Sequence, residues 1–231
     1  AVVPSTVATM PTAESAISHS PNAYEIIKPM IKKCQPATPG TEYPDYMRLE
    51  ENRSIPVDVD ALRLFKDIHK GQRCFIVGNG PSLNKTDLSK LKNEVTFGVN
   101  SIFLMTEMNG FIPTYYSVCD SHVIAENTEQ IIDYPVQHKF FPAAYRKYIP
   151  PIKRSNVSFF MMNRGFNEAT SPNYAIPRFS ADISERIYDG QTITYMNLQL
   201  AYFMGFKEVY LIGVDFNYVI PESAIIDGAN I

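Results

Sequence analysis

The segment Ile76-Val-Gly-Asn-Gly-Pro-Ser-Leu83 carries the densest chemical signal in the chain. An apolar run ends in Gly78-Asn79-Gly80, and Pro81-Ser82 can open a helical turn. Glycine lets a backbone turn sharply and approach a ligand closely, and the free N–H groups of a first helical turn attract an anion. The expectation is a phosphate or nucleotide loop at the carboxyl end of a strand, where open α/β sheets bind ligands. A tight strand-to-helix turn without a ligand would use the same residues. The segment is neither G-x-G-x-x-G, since position 83 is Leu, nor a Walker A loop, since no Gly-Lys-Ser/Thr follows. Asn100 and Asp120 each follow a further apolar run and could hydrogen-bond a ribose, a base or a sugar; both types also cap helices well. His122, two residues after Asp120, is the candidate proton carrier near neutral pH, set against the plainer reading of a lone surface histidine.

A second block runs from Asp189-Gly-Gln-Thr-Ile-Thr194 through a helical stretch into Gly205-Phe-Lys-Glu-Val-Tyr-Leu-Ile-Gly-Val-Asp-Phe-Asn-Tyr218. Thr192 and Thr194 stand at a helix start, where hydroxyl and N–H groups could face a phosphate or simply cap the helix. Gly213 permits close backbone approach, and Asp215 is placed to accept sugar hydroxyls. Tyr218 could add a phenol to the same phosphate or belong to the core. Arg146, Lys147, Arg164 and Arg178 could neutralise an anionic substrate, but their spacing says nothing specific and solvated surface charge is the expectation. No His/Cys/Asp/Glu group has metal-ligand spacing, and no Gly-x-Ser-x-Gly elbow occurs.

These residues need a frame. Asp58 can cap a helix carrying Leu62, Phe65 and Ile68 on one face, with Gly71 at its end. Short apolar runs at Cys74–Val77, Val95–Val99, Tyr115–Val118, Lys139–Phe141, Val157–Met161 and Val209–Ile212 read as buried strands. Helical patterns at Ser101–Asn109, His122–Ile132 and Thr192–Met204 lie between several of them, with Gly205 as a C-cap. Strand, helix, strand at this spacing predicts an α/β fold: a Rossmann-like three-layer sandwich with a mostly parallel sheet. Polar residues just past successive strands then meet along one sheet edge.

Eight of the 17 prolines fall in residues 1–57, where Gly40 is the single glycine. Residues 1–57 are expected to form a Pro-rich lead-in or linker with little regular structure, apart from a possible short helix over Ala23–Cys34. Residues 58–231 are expected to form the nucleotide-binding domain, incomplete at its C-terminal side. The 231 residues, 45% hydrophobic and 19% charged, are sufficient for one sizeable core. A formal charge of −3 without a basic run argues against nucleic acid as a partner, because neutralising phosphates needs clustered positive charge. No stretch approaches the roughly 20 apolar residues of a membrane helix, and the first residues lack a signal-peptide pattern. Cys34, Cys74 and Cys119 are too scattered for a disulfide framework, so a reduced, cytoplasmic setting is expected.

The two blocks, Ile-Val-Gly-Asn-Gly-Pro-Ser-Leu and Gly-Phe-Lys-Glu-Val-Tyr-Leu-Ile-Gly-Val-Asp-Phe, resemble a superfamily of Rossmann-like proteins. It includes bacterial sialyltransferases that use CMP-sialic acid, motility accessory factors, and 6-hydroxymethylpterin diphosphokinase-like proteins. By position, the resemblance implies nucleotide binding at Gly78, Asn79, Gly80, Pro81, Ser82, Asn100, Asp120, Thr192, Thr194, Gly213, Asp215 and Asn217. The family's phosphate-binding tyrosine falls on Asn217 here, with Tyr218 one place later. The implied activity is a glycosyltransferase moving a nonulosonic-type sugar from a CMP-activated nucleotide-sugar donor to a surface-glycan acceptor. No cofactor is then required. The alternatives are a pterin diphosphokinase using ATP and Mg²⁺, whose relatives have a richer acidic cluster after the third strand than Val-Cys-Asp-Ser here, and a non-catalytic nucleotide-binding module.

Overall fold

The computed structural model describes residues 7–9, 55–167, 171 and 174–215. Its centre is a seven-stranded sheet in the order β1-β9-β2-β3-β4-β5-β6. The strands are β1 (Val7–Thr9), β2 (Arg73–Val77), β3 (Val95–Val99), β4 (Tyr115–Ser117), β5 (His138–Pro142), β6 (Val157–Phe160) and β9 (Glu208–Ile212). Strands β2 to β6 and β9 are parallel, and β1 pairs antiparallel with β9. Every strand read from an apolar run is present, and the sheet is the mostly parallel one that the strand–helix alternation predicts. Three residues of the lead-in, Val7–Thr9, add an edge strand that composition did not indicate.

Strand alternation distributes the core over two layers. Cys74, Ile76, Phe97, Tyr115 and Phe140 face a cluster with Leu62 of α1 (Val59–Arg63) and with Ile193, Met196 and Leu200. Val77, Tyr116 and Phe141 face the opposite cluster, built with Phe103 of α2 (Phe103–Asn109), Ile124 of α3 (Ser121–Glu126) and Ile131 of α4 (Thr128–Asp133). Helix α5 (Ile193–Phe203) brings the chain back from the β6 edge to β9, on the other side of β2. Strands β2 and β9 are therefore neighbours whose connections leave in opposite directions, the switch point at which such sheets open a crevice.

Several local expectations change. The helix expected from Asp58 to Gly71 is helical only over Val59–Arg63. Residues 64–71 instead turn back against the end of α5, where Asp67 N–H bonds the Phe203 carbonyl (3.1 Å) and His69 N–H the Met204 carbonyl (2.9 Å). Those carbonyls at a helix end need donors, and the turns supply them. The Asp58 side chain does not cap α1; it accepts the Phe159 N–H (2.9 Å) and pairs with Arg146 (2.5 Å), whose guanidinium lies 4.2 Å from the Phe159 ring. Arg146 is thus largely buried rather than solvated surface charge. The expected helix His122–Ile132 is two helices. Asn127 Nδ2 bonds the Val123 carbonyl and Thr128 Oγ1 the Ile124 carbonyl, so side chains take over acceptors of the helix ladder.

Beyond β6 lies a second, two-stranded parallel sheet, β7 (Met162–Asn163) with β8 (Ile187–Tyr188). Sequence patterning did not indicate it, since two-residue strands leave no periodicity. Cys74 is buried, Cys119 half-buried, and both are free thiols; Cys34 and the segment Ala23–Cys34 lie outside the described residues. Among the described residues no helix is long and apolar enough to cross a membrane.

Candidate functional site

The loops after β2 and β9 cross at the switch point and lock together. Gly78 N–H donates to the Ile212 carbonyl (2.8 Å), and Gly80 N–H to the Gly213 carbonyl (2.7 Å). A Cβ on Gly78 would overlap the Gly213 carbonyl oxygen, and one on Gly80 would lie 2.7 Å from both the Gly213 oxygen and the Asp215 Cγ. Gly213 itself has φ +63°, a left-handed conformation that favours glycine. Pro81 and Ser82 open a 3₁₀ turn, Pro81–Lys85, and the Ser82 N–H donates to Asp215 Oδ2 at 2.7 Å. Hydrogen bonds from Ser82 hold the Asp215 carboxyl below its usual range, so it is ionised at neutral pH.

This geometry changes what the glycines are for. Close approach at Gly78 and Gly80 is approach to the β9 loop, and the Ser82 N–H expected to meet a phosphate already has a carboxylate partner. Asp215 keeps lone pairs for ligand hydroxyls, because each carboxylate oxygen accepts two hydrogen bonds.

The loop after β3 behaves differently. Asn79 Nδ2 reaches across to the Val99 carbonyl (3.0 Å), placing the Gly78–Gly80 loop directly beside Asn100. Asn100 has φ +46°, and its carbonyl oxygen accepts the Tyr116 hydroxyl (2.5 Å). Its side-chain Oδ1 is buried and has no hydrogen-bond partner, the single such side-chain atom among the described residues. A buried acceptor left unpaired costs about 1–3 kcal/mol, and a non-glycine residue in the left-handed region adds strain. Both features converge on one residue at the carboxyl edge. Only a donor satisfies that oxygen: a hydroxyl, an amine or a water supplies one, and a phosphate oxygen does not.

After β4, Asp120 caps α3, accepting the N–H groups of His122 (2.8 Å) and Val123 (3.3 Å). His122 is exposed on the same turn. At the start of α5, Thr192 Oγ1 accepts the Thr194 N–H (3.3 Å), and its hydroxyl proton stays available for a ligand. Asp120 and Thr192 thus fill the capping roles open to them, while Asn100 caps nothing. Burial, with help from the Asp189 and Asp120 carboxylates, pushes the Cys119 thiol up to about 12, so it is no nucleophile at neutral pH. Those two carboxylates therefore lie within electrostatic reach of the end of β4. Among the described residues no three His, Cys, Asp or Glu side chains gather as metal ligands. Asn217 and Tyr218 lie outside the described residues.

A family model described as 6-hydroxymethylpterin diphosphokinase MptE-like matches residues 47–221. No curated protein matches the chain. Among solved structures, the MAf glycosyltransferase from Magnetospirillum magneticum AMB-1 matches with 20% identity and a TM-score of 0.43. That match covers 72% of this chain and 29% of the other, so the chain spans under a third of that protein.

Proposed function

Because this chain belongs to the 6-hydroxymethylpterin diphosphokinase MptE-like family, we propose that it is a nucleotide-dependent transferase working at the β2/β9 switch point. The observation that carries this reading is the buried, unpartnered Oδ1 of Asn100 beside the locked Gly78–Gly80 loop. Asn100 would accept from the nucleoside, and Asp215 from ribose hydroxyls through its remaining lone pairs. The phosphate would meet the Asn79 N–H and the first turn of α5 with Thr192 and Thr194, where the helix dipole favours negative charge.

Within that class we propose glycosyl transfer: a nonulosonic-type sugar leaving a CMP donor for a glycan acceptor. Breaking the sugar–phosphate bond leaves charge on CMP, which N–H groups and hydroxyls stabilise without metal. An acceptor hydroxyl must lose a proton as it attacks, and His122 at the same edge is the candidate base. The diphosphokinase reading needs carboxylates to hold Mg²⁺ between phosphates. At this edge Asp120 and Asp215 each accept backbone N–H groups, and among the described residues no group of three acidic, cysteine or imidazole side chains forms around either of them. The described residues at this edge do not form a metal site, which favours the glycosyl reading.

A thermal-shift series with CMP, CDP, UDP, GDP and ATP, with and without Mg²⁺, tests it, because a ligand raises the midpoint by mass action. CMP should stabilise most, equally well in EDTA. A shift confined to ATP with Mg²⁺ would instead establish the diphosphokinase reading.

A further inference from the structure

Asn100 is held from two sides. The peptide plane before it contains the Val99 carbonyl, which accepts Asn79 Nδ2 (3.0 Å). The plane after it contains the Asn100 carbonyl, which accepts the Tyr116 hydroxyl (2.5 Å). Peptide units are rigid planes, so the φ and ψ of a residue are set by how its two flanking planes are turned. Tying both carbonyls therefore ties Asn100 to φ +46°, where a residue with a Cβ is strained.

The two ties differ in kind. Asn79 is exposed on the crevice loop, whereas Tyr116 lies on β4 and is wholly buried. Its ring meets that of Tyr134 edge to face at 5.0 Å between centroids, and that of Phe141 at 6.1 Å. A carbonyl only accepts, so the phenol must donate. Burial, with help from Tyr134, lifts the phenol well above its ordinary pKa and keeps that proton in place at neutral pH.

Tyr134 supplies a matched comparison. It is buried in the same layer, and its hydroxyl bonds Thr106 Oγ1 of α2 (2.7 Å), which in turn donates to the Phe111 carbonyl (2.5 Å). The two phenols are alike in burial and touch each other. The bonds of Tyr134 end on α2 and the turn after it, while that of Tyr116 ends on the residue with the orphaned oxygen.

We propose that Tyr116 is a positioning residue: its hydroxyl keeps Asn100 left-handed, and so keeps the Asn100 Oδ1 in place to accept from the nucleotide. The effect on the nucleotide rests on the transferase reading; the hold on Asn100 does not. Without the phenol the second plane is free to turn, relief of strain favours turning, and the Asn100 side chain swings with its backbone. A residue inside the core thereby governs binding without touching the ligand.

Crystal structures of ligand-free wild type and Tyr116→Phe, with calorimetric titration of CMP, test the proposal. In Tyr116→Phe, Asn100 is expected to leave positive φ, and CMP affinity to fall by about fivefold, the worth of one hydrogen bond. Tyr134→Phe should lower the unfolding midpoint through its own lost hydrogen bond and yet bind CMP as wild type does. Tyr116→Phe combined with Asn100→Gly should bind CMP no more weakly than Asn100→Gly alone, because the side chain that Tyr116 positions is already gone. Asn100 at unchanged positive φ in Tyr116→Phe overturns the proposal. So does wild-type CMP affinity in that variant, an equal loss in Tyr134→Phe, or a double variant weaker than Asn100→Gly by the full factor of Tyr116→Phe. A wild type that fails to bind CMP, with Asn100 relaxed in Tyr116→Phe, upholds the hold on Asn100 and removes the nucleotide reading.

Discussion

The crossing of the β2 and β9 loops and the turn after β3 sit side by side on one sheet edge, yet they treat their polar groups in opposite ways. At the crossing, the N–H groups of Gly78, Gly80 and Ser82 are all bonded within the protein, and the glycines are there because Gly213 and Asp215 press against them. At Asn100 the chain takes a left-handed conformation and leaves a buried acceptor without a donor. The first arrangement fixes the two loops against each other. The second is poor for stability and good for a ligand. A glycine-rich loop is therefore not by itself evidence of ligand contact, whereas an uncompensated polar atom calls for a donor, which a ligand or a water can supply.

The contrast is broken most severely at Gly80. Gly80→Val must push Asp215 and Gly213 away, and overpacking of this kind costs about 1–3 kcal/mol. The expected result is a lower unfolding midpoint together with lost CMP binding, measured by thermal denaturation and calorimetric titration. A variant of wild-type stability that fails to bind would restore the view that Gly80 makes room for the ligand.

Asp215 sharpens the comparison, since it belongs both to the lock and to the ligand's reach. Asp215→Ala should weaken CMP binding by about tenfold through lost hydroxyl contacts. It should also erase the discrimination between ribo- and 2′,3′-dideoxy-nucleotides; equal discrimination in wild type and variant removes Asp215 from the ribose. Its folded pKa lies below the ordinary carboxylate value of 3.8. The contact with Ser82 therefore stabilises the fold at neutral pH and fades as pH falls through that depressed value. Acid titration of wild type against Asp215→Asn should show curves that converge at low pH.

Much of this was legible in the sequence, for identifiable reasons. Parallel strands buried on both faces must be unbroken apolar runs, and Cys74–Val77 and Val95–Val99 announce themselves that way. That Asn100, Asp120 and Asp215 stand past the carboxyl ends of β3, β4 and β9 follows from strand polarity alone. What stayed hidden depends on conformation or on distant partners. Asp58 has the right type for a helix cap, but its carboxylate bonds a strand 101 residues away. The break at Asn127 arises from side chains competing for ladder carbonyls. The β7–β8 sheet joins residues 25 apart through strands too short to show a period. Asn100 was singled out by its place after a strand, yet its orphaned oxygen is a property of its fold.

Asn100→Gly tests the central claim most directly, because the two regions predict opposite outcomes for the same change. Glycine accepts a positive φ freely and removes the unpaired oxygen, while the backbone carbonyl that holds Tyr116 remains. The unfolding midpoint should stay level or rise, with a gain of about 1 kcal/mol, and CMP affinity should fall by about tenfold or more. Affinity equal to wild type in the folded variant would contradict the account and take the ligand away from this edge.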